Sequence, residues 1–126
     1  MLKARADDLC SKGNAERRIL EVGSSEHLLF DMMTKCPEKG QKIIGKGEAA
    51  AIALARAHNG ILASNNLSDI AYYVEKYDIK HITTADILVM AVDRGIIETL
   101  EAESFWRSIK KHTKMPEMTF MEYMEK

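Results

Sequence analysis

Three acidic side chains each lie in the first turn of a predicted helix. Glu48 lies at the start of an alanine-rich helix. Asp69 follows Asn66 by three residues, and Asp86 follows Thr83 by the same spacing. Carboxylates that converge in one crevice repel each other, and such a group is tolerated when it titrates or binds a divalent cation. Because magnesium or manganese held by carboxylates activates water against a phosphodiester, these residues indicate a candidate metal-dependent hydrolytic site.

The same spacing also has a purely structural interpretation. Asn66-x-x-Asp69 and Thr83-x-x-Asp86 both fit a capping box, although the usual partner is Glu or Gln. An acid in the first turn of any helix also gains from the helix dipole. Capping explains Glu48 least well, because a glycine precedes it and the rest of that helix is apolar. Both interpretations of the acids stay open at this point.

Other chemistry-bearing residues favour structural roles. His58 ends a predicted helix, where a histidine is electrostatically favourable. The basic run Lys110–Lys114 is typical of a solvated helix end rather than of a nucleic-acid contact. Trp106 is expected to anchor the last long helix in the core. The sequence contains no glycine-rich phosphate loop and no HExxH motif.

The elements that must position the acids alternate between short buried strands and helices. In chain order the sequence predicts a helix over Leu2–Ser11, a β-prone run at Arg18–Val22, a helix over Glu26–Cys36 capped by Ser24, a helix from Gly47 closed by Asn59-Gly60, a strand at Ile61–Ala63, a helix from Asn66, a strand at Lys80–Ile82, a helix from Thr83 ended by Gly95, a helix over Glu98–Thr113 and a last turn at Thr119–Lys126. Helices and strands in this order, with short connections, indicate parallel βαβ units.

This topology predicts where the acids meet. Helices that follow parallel strands begin at the carboxyl edge of the sheet, where open α/β folds bind their ligands. Asp69 and Asp86 are therefore expected at that edge. Glu48 joins them only if the helix before Ile61 also begins near it.

Composition places the chain among ordinary globular domains. With 126 residues, 46% apolar and 29% charged, residues 1–126 suit a single domain with a real core. A net charge of −1 gives no argument for a polyanion-binding field. We expect no membrane span and no signal peptide, because the longest stretch free of charged residues covers only Ala57–Ser68 and the first residues include no apolar core. Cys10 and Cys36 are expected to be free thiols in a cytoplasmic protein.

Three landmarks between Gly45 and Ile97 resemble a known family. GEAAAIALA resembles the GEAEAIALA helix, LASNN resembles a strand end that reads ATND or TNN, and the strand before TTADIL, with its helix ending at RGII, resembles a closing βα unit. Together they resemble the second half of the PIN domain, in a bacterial and archaeal branch described as predicted nucleic-acid-binding proteins. The tail MPEMTFMEYME is similar to that branch as well, so the resemblance covers about 85 residues from Ile43 onward.

The resemblance implies a three-layer α/β/α domain around a short parallel sheet. It divides the chain into a divergent part (1–42), a PIN-like core (43–97) and a C-terminal helical part (98–126). It also implies a Mg²⁺- or Mn²⁺-dependent endoribonuclease, such as the toxin of a toxin–antitoxin pair. Glu48 matches the acid of the GEA helix and Asp69 falls near the acid that follows ATND, so these two are the expected catalytic residues.

The resemblance also sets the expected contacts of the site. The expected metal ligands are Glu48, Asp69 and Asp86. The residues expected to contact RNA are Asn65, Asn66, Thr83 and Thr84.

Departures from the family pattern leave two functions open. A PIN domain opens with a central strand that ends in Asp, and this chain has no such segment. Asn66 stands where many members have the Asp of ATND, and Ala50 replaces the second acid of the helix. The site is therefore expected to be degenerate, on a domain that is eroded or incomplete at its N-terminus. The alternative to a ribonuclease is a non-catalytic PIN-like module that binds RNA or protein.

The absent strand also bears on partners and on the fold. It would leave a sheet edge that the run Arg18–Val22, a homodimer or a partner protein could cover. A helical interaction domain without a parallel sheet is the third interpretation of this helix-rich sequence.

Overall fold

The computed structural model describes residues 2–126, which form a helix-rich mixed α/β fold. Within that range the elements are α1 (Leu2–Ser11), α2 (Ser25–Lys35), α3 (Lys46–Ala57), β1 (Ile61–Ala63), α4 (Leu67–Lys76), β2 (Lys80–Ile82), α5 (Thr84–Asp93), α6 (Thr99–Ile109) and α7 (Phe120–Met124). No helix in these residues combines the length and the apolar character that crossing a membrane requires.

A short parallel sheet lies at the centre of the fold. β1 pairs with β2 in parallel, with Ile61 opposite Lys80 and Ala63 opposite Ile82. Helix α4 makes the connection between them. The predicted βαβ unit and both strand boundaries are confirmed. The purely helical interpretation is wrong, because Leu62 is buried in a strand that pairs as predicted.

Side-chain caps explain where several helices begin. The hydroxyl of Ser24 accepts a hydrogen bond from the backbone N–H of His27 at 3.2 Å, and α2 begins at the next residue. The Thr83 hydroxyl accepts from the N–H of Asp86 at 3.3 Å and begins α5 in the same way. Such caps satisfy backbone donors that have no partner inside the helix, so the predicted helix starts at these residues are confirmed.

The apolar residues form two clusters. The larger one joins α2, α3, β1 and α4; its buried residues are Leu29, Met33, Ile44, Ala49, Ile52, Ala53, Leu62, Ile70, Tyr73 and Ile79. The smaller one joins α5, α6 and α7; its buried residues are Ala85, Leu88, Ala102, Trp106 and Phe120. Trp106 is 1% exposed and its indole N–H donates to the carbonyl of Met118 at 2.9 Å, so its predicted role as a core anchor is confirmed.

The structure corrects one predicted element and one helix boundary. The β-prone run Arg18–Val22 forms no strand, and Ile19 and Val22 are 83% and 88% exposed. A strand requires a neighbouring backbone to pair with, and β1 and β2 pair only with each other in the described residues. Helix α6 ends at Ile109 instead of Thr113. The chain then turns, with the N–H of Thr113 donating to the carbonyl of Ile109 at 3.1 Å.

We expect Ile52→Ala to lower the free energy of unfolding by about 2–5 kcal/mol, because it removes a fully buried side chain and leaves a cavity in the larger cluster. Urea unfolding followed by circular dichroism measures the change. The matched control is Ile19→Ala, which we expect to change the free energy of unfolding by less than about 0.5 kcal/mol. Equal effects of the two substitutions would contradict the assignment of the core.

Candidate functional site

Polar side chains gather at the carboxyl ends of the two strands. Ser64, Asn65 and Asn66 follow β1, while Thr83 and Thr84 follow β2; these five residues are called the polar edge below. The pairing continues past the strands, since the N–H of Ser64 donates to the carbonyl of Ile82 at 3.0 Å. The parallel register therefore places the starts of α4 and α5 beside each other.

Glu48 and Asp69 meet at one amide group of this edge. The Asn66 side-chain NH₂ donates to Glu48 Oε1 at 3.2 Å and to Asp69 Oδ2 at 2.6 Å. Glu48 and Asp69 are called the acidic pair below. Glu48 reaches this point because α3 runs back along β1, so its first turn lies near the carboxyl end of that strand. The expected convergence of these two acids is found.

One oxygen of Glu48 has no partner in the described residues. Its Oε2 atom is buried and accepts no hydrogen bond, while Oε1 accepts from Asn66. A buried carboxylate oxygen without a donor is costly, and in folded proteins such an atom usually has a water or an ion beside it. The orphan oxygen is thus the feature of the pair that most directly indicates a ligand.

Lys42 places a positive charge beside Asp69. Its ammonium forms an ion pair with Asp69. This ion pair, together with the amide of Asn66, holds the pKa of Asp69 below its ordinary value, so the carboxylate stays ionised. The loop that carries Lys42 is tied to α4, because Glu38 forms an ion pair with Lys76.

Asp86 does not join the acidic pair. Its Oδ2 accepts from the N–H and the hydroxyl of Thr83 at 2.9 and 3.1 Å in a capping box, and its Oδ1 accepts from the hydroxyl of Tyr123 at 2.6 Å. The bond from Tyr123, followed by those from Thr83, holds the pKa of Asp86 below its ordinary value. The structure therefore supports the interpretation of Asp86 as a helix-capping residue.

The expected three-acid metal group does not form. Across residues 2–126, no three His, Cys, Asp or Glu side chains are grouped so that they could hold a metal ion. The physical reason is that both carboxylate oxygens of Asp86 are bonded elsewhere, one to Thr83 at its own helix start and the other to Tyr123 of the C-terminal segment. The prediction of Asp86 as a third ligand therefore finds no support.

Asn65 holds the polar edge together. Its Oδ1 accepts from the N–H of Thr84 at 2.8 Å, and its NH₂ donates to the hydroxyls of Thr84 and Thr113 at 2.9 and 3.3 Å. These bonds join the end of β1 to the start of α5 and to the turn after α6. Both N–H bonds of the Asn65 amide and its oxygen are thus engaged inside the protein, which favours a positioning role over the expected contact with RNA.

Three adjoining cavities open along the polar edge. Their volumes are about 390, 460 and 390 Å³, and Asn65 borders all three. Asp86 lines the first, Asp69 the second and Glu48 the third. Lys114 lines both the first and the second, so its side chain lies between them.

The sequence alone missed four residues of this site: Lys42, Thr113, Lys114 and Tyr123. Thr113 and Lys114 carry a signal, since both belong to the basic run Lys110–Lys114, which is typical of a solvated helix end. The turn after Ile109 brings that run back to the polar edge.

The donor set suits a single divalent cation of modest affinity. Mg²⁺ is commonly held by one or two carboxylates, with waters and substrate phosphates completing its octahedron. The acidic pair supplies two carboxylates, and one of their four oxygens, Oε2 of Glu48, has no hydrogen-bond partner in the described residues. Lys42 and the amide of Asn66 compete for the same oxygens, so an incoming cation has to displace at least one of these donors.

Comparisons with known proteins assign no family. No family model, no curated protein and no solved structure matches this chain.

We expect Tyr123→Phe to lower the free energy of unfolding by about 1–2 kcal/mol at pH 7, because Asp86 loses a hydrogen bond made to its charged form. The pKa of Asp86 lies below its ordinary value of 3.8 in the folded chain. The contribution of this hydrogen bond to the free energy of unfolding is therefore complete above pH 3.8, and it is lost as the pH falls through the lower pKa of Asp86 in the folded chain. Urea unfolding at a series of pH values measures both effects.

The matched control for this prediction is Tyr77→Phe, whose ring packs under Arg56. We expect that variant to have the stability of the parent protein within about 0.5 kcal/mol. A Tyr123→Phe protein as stable as the parent at pH 7 would show that the bond to Asp86 contributes nothing.

Proposed function

We propose that this chain is a PIN-like, three-layer α/β/α protein that binds single-stranded RNA at the polar edge and cleaves it as a divalent-cation-dependent endoribonuclease. The observation that carries the proposal is the acidic pair: two carboxylates converge on one amide, and one of their oxygens is buried without a partner. The order and spacing of the PIN-like landmarks support the same conclusion.

Each residue of the site has a defined task in this proposal. Glu48 and Asp69 hold Mg²⁺ or Mn²⁺, which when bound supplies an activated water and neutralises charge on the phosphodiester. Lys42 and Lys114 attract the RNA backbone to the acidic pair, which would otherwise repel it. Asn66 sets the separation of the two carboxylates.

The remaining residues of the polar edge hold its shape. Asn65 fixes the end of β1 against α5, and Thr83 and Thr84 begin α5 beside it. The backbone N–H groups of Thr83 and Thr84 donate to Asp86 and Asn65, so these two threonines shape the edge that the RNA contacts.

A second function is favoured by the same contacts. Asn66 already bridges the two carboxylates, Lys42 already neutralises Asp69, and Asp86 is committed to its capping box. A site satisfied in this way can bind RNA or a protein without any cation. The alternative proposal is therefore a non-catalytic PIN-like module that uses the same edge for binding.

We expect Glu48→Gln to reduce Mn²⁺-dependent cleavage of a fluorescent single-stranded RNA by at least about a hundredfold, because the neutral amide cannot hold the cation or its charge. Gel assays with and without EDTA measure the rate. The matched control is Glu26→Gln, an acid in the first turn of α2 outside the site, which we expect to cleave at the parental rate.

The outcome separates the two functions. Cleavage that survives in Glu48→Gln rejects the acidic pair as the catalytic site. RNA binding without cleavage in the parent protein selects the non-catalytic module.

A second experiment measures Mn²⁺ binding to Asn66→Asp by calorimetry. If the site binds a cation, a third carboxylate in place of the bridging amide should tighten Mn²⁺ binding. In the non-catalytic module the same change only lowers stability through repulsion.

The open edge of the sheet supports a partner in either function. In the described residues each strand pairs only with the other, and Ile61 of β1 is 60% exposed. Unpaired strand edges with apolar side chains are covered by further strands or by partner chains in most proteins. We propose that a second copy of the chain covers this edge. The alternative occupant is a protein partner such as an antitoxin.

We expect sedimentation equilibrium over a roughly hundredfold concentration range to show a dimer that Ile61→Lys dissociates, because a charge at the edge opposes strand pairing. The matched control is Ile96→Lys, at another exposed position (71%) that lies outside the sheet, which should leave the dimer intact. A parent protein that stays monomeric throughout would exclude the second copy.

A further inference from the structure

A cavity beside the acidic pair has the size and the mixed walls of a small-ligand site. Its volume is about 390 Å³, within the range of pockets that hold small organic ligands. The starts of α4 and α5 form one side of it, and the segment that links α6 to α7 forms the other. Because Asp86 lies in its wall, this space is called the Asp86 cavity below.

Part of the wall of the Asp86 cavity is apolar. It includes Leu67, Ala85, Met115 and Pro116. Leu67, the first residue of α4, is an apolar side chain that stays 48% exposed. An apolar wall of this kind suits a flat, weakly polar group such as a nucleobase, because binding removes apolar surface from water.

The polar part of the wall offers one hydrogen-bond acceptor. A carboxylate has about four acceptor positions, and Asp86 uses three of them for Thr83 and Tyr123. The remaining position belongs to Oδ1, since the Thr83 bonds both go to Oδ2. Because the tyrosine bond keeps this carboxylate charged, it accepts an additional N–H donor but repels a carbonyl oxygen.

An exposed lysine connects the Asp86 cavity to the acidic pair. Lys114 lines this cavity and also the adjacent one, which Asp69 lines. An ammonium at this position can hold the phosphate that joins a base in the first cavity to the next nucleotide beside Asp69. The two cavities share Asn65, Ser68 and Lys114, so they adjoin and a single strand can pass from one to the other.

We propose that the Asp86 cavity is a subsite for one unpaired base of single-stranded RNA, and that it selects a base with an exocyclic amino group, cytosine above uracil. The amino group of cytosine donates to Asp86, as carboxylates do when they recognise this base in nucleic-acid complexes. Uracil presents a carbonyl oxygen at the same position. This inference rests on the proposed function, since it names a preference within the same RNA.

Titration of the isotope-labelled full chain with cytidine 5′-monophosphate in EDTA tests the subsite by itself. We expect amide NMR shifts at the residues around the cavity, and binding about tenfold tighter than that of uridine 5′-monophosphate. The two probes share the ribose and the phosphate, so they form a matched pair. They differ at C4, which carries an amino group in cytosine and a carbonyl in uracil, and at N3, which is an acceptor in cytosine and an N–H donor in uracil. Inorganic phosphate alone serves as the probe for simple anion binding at Lys114.

Two substitutions locate the binding without disturbing the cap of α5. Leu67→Ala removes part of the apolar wall and should weaken binding of cytidine 5′-monophosphate at least about fivefold. Its control is Leu100→Ala, at an 80% exposed leucine outside the cavity, which should bind as the parent does. Lys114→Ala should weaken binding of both nucleotides, whereas Lys110→Ala should not.

Three outcomes overturn the subsite: no shifts at millimolar nucleotide, equal binding of the two nucleotides, or the same shifts with phosphate alone. The result is independent of cleavage, because EDTA removes the cation that the proposed cleavage requires. A parent protein that binds the nucleotide but does not cleave RNA therefore rejects the endoribonuclease and keeps the subsite. RNA cleavage unaffected by Leu67→Ala, without nucleotide binding, rejects the subsite alone.

Discussion

The parallel pairing of β1 with β2 is the constraint on which the site depends. Each strand has only three residues, yet their register places Asn65 and Asn66 beside the start of α5. Because α3 runs back along β1, the same pairing brings Glu48 to the carboxyl edge. A shift of the register by one residue would turn Leu62 out of the core and move the polar edge away from the acidic pair.

Electrostatic balance within the acidic pair decides what the site can do. Two carboxylates that face one amide repel each other, and the structure offsets this with Lys42 and with the NH₂ group of Asn66. The same groups compete with any cation for the oxygens. The buried Oε2 of Glu48 is the one acceptor in the pair that these donors leave unsatisfied, so it marks the place where a ligand has most to gain.

Local sequence signals predicted most of the fold. Both strands and the caps at Ser24 and Thr83 are where the sequence placed them, because capping and short apolar runs depend on neighbouring residues. The run Arg18–Val22 shows where that logic ends. Its residues favour a strand, but strand formation needs a partner backbone, and β-propensity alone cannot supply one.

By itself, the sequence indicated where the helices begin to within about one residue and that Glu48 and Asp69 could converge. The tertiary structure alone decided the partners. Asn65 bonds Thr113 across 48 residues, and Asp86 bonds Tyr123 across 37. No spacing rule reaches that far, because helix and strand periodicity relate only residues within a few positions of each other. Whether an acid caps its own helix or faces a ligand therefore depends on packing that only the folded chain establishes.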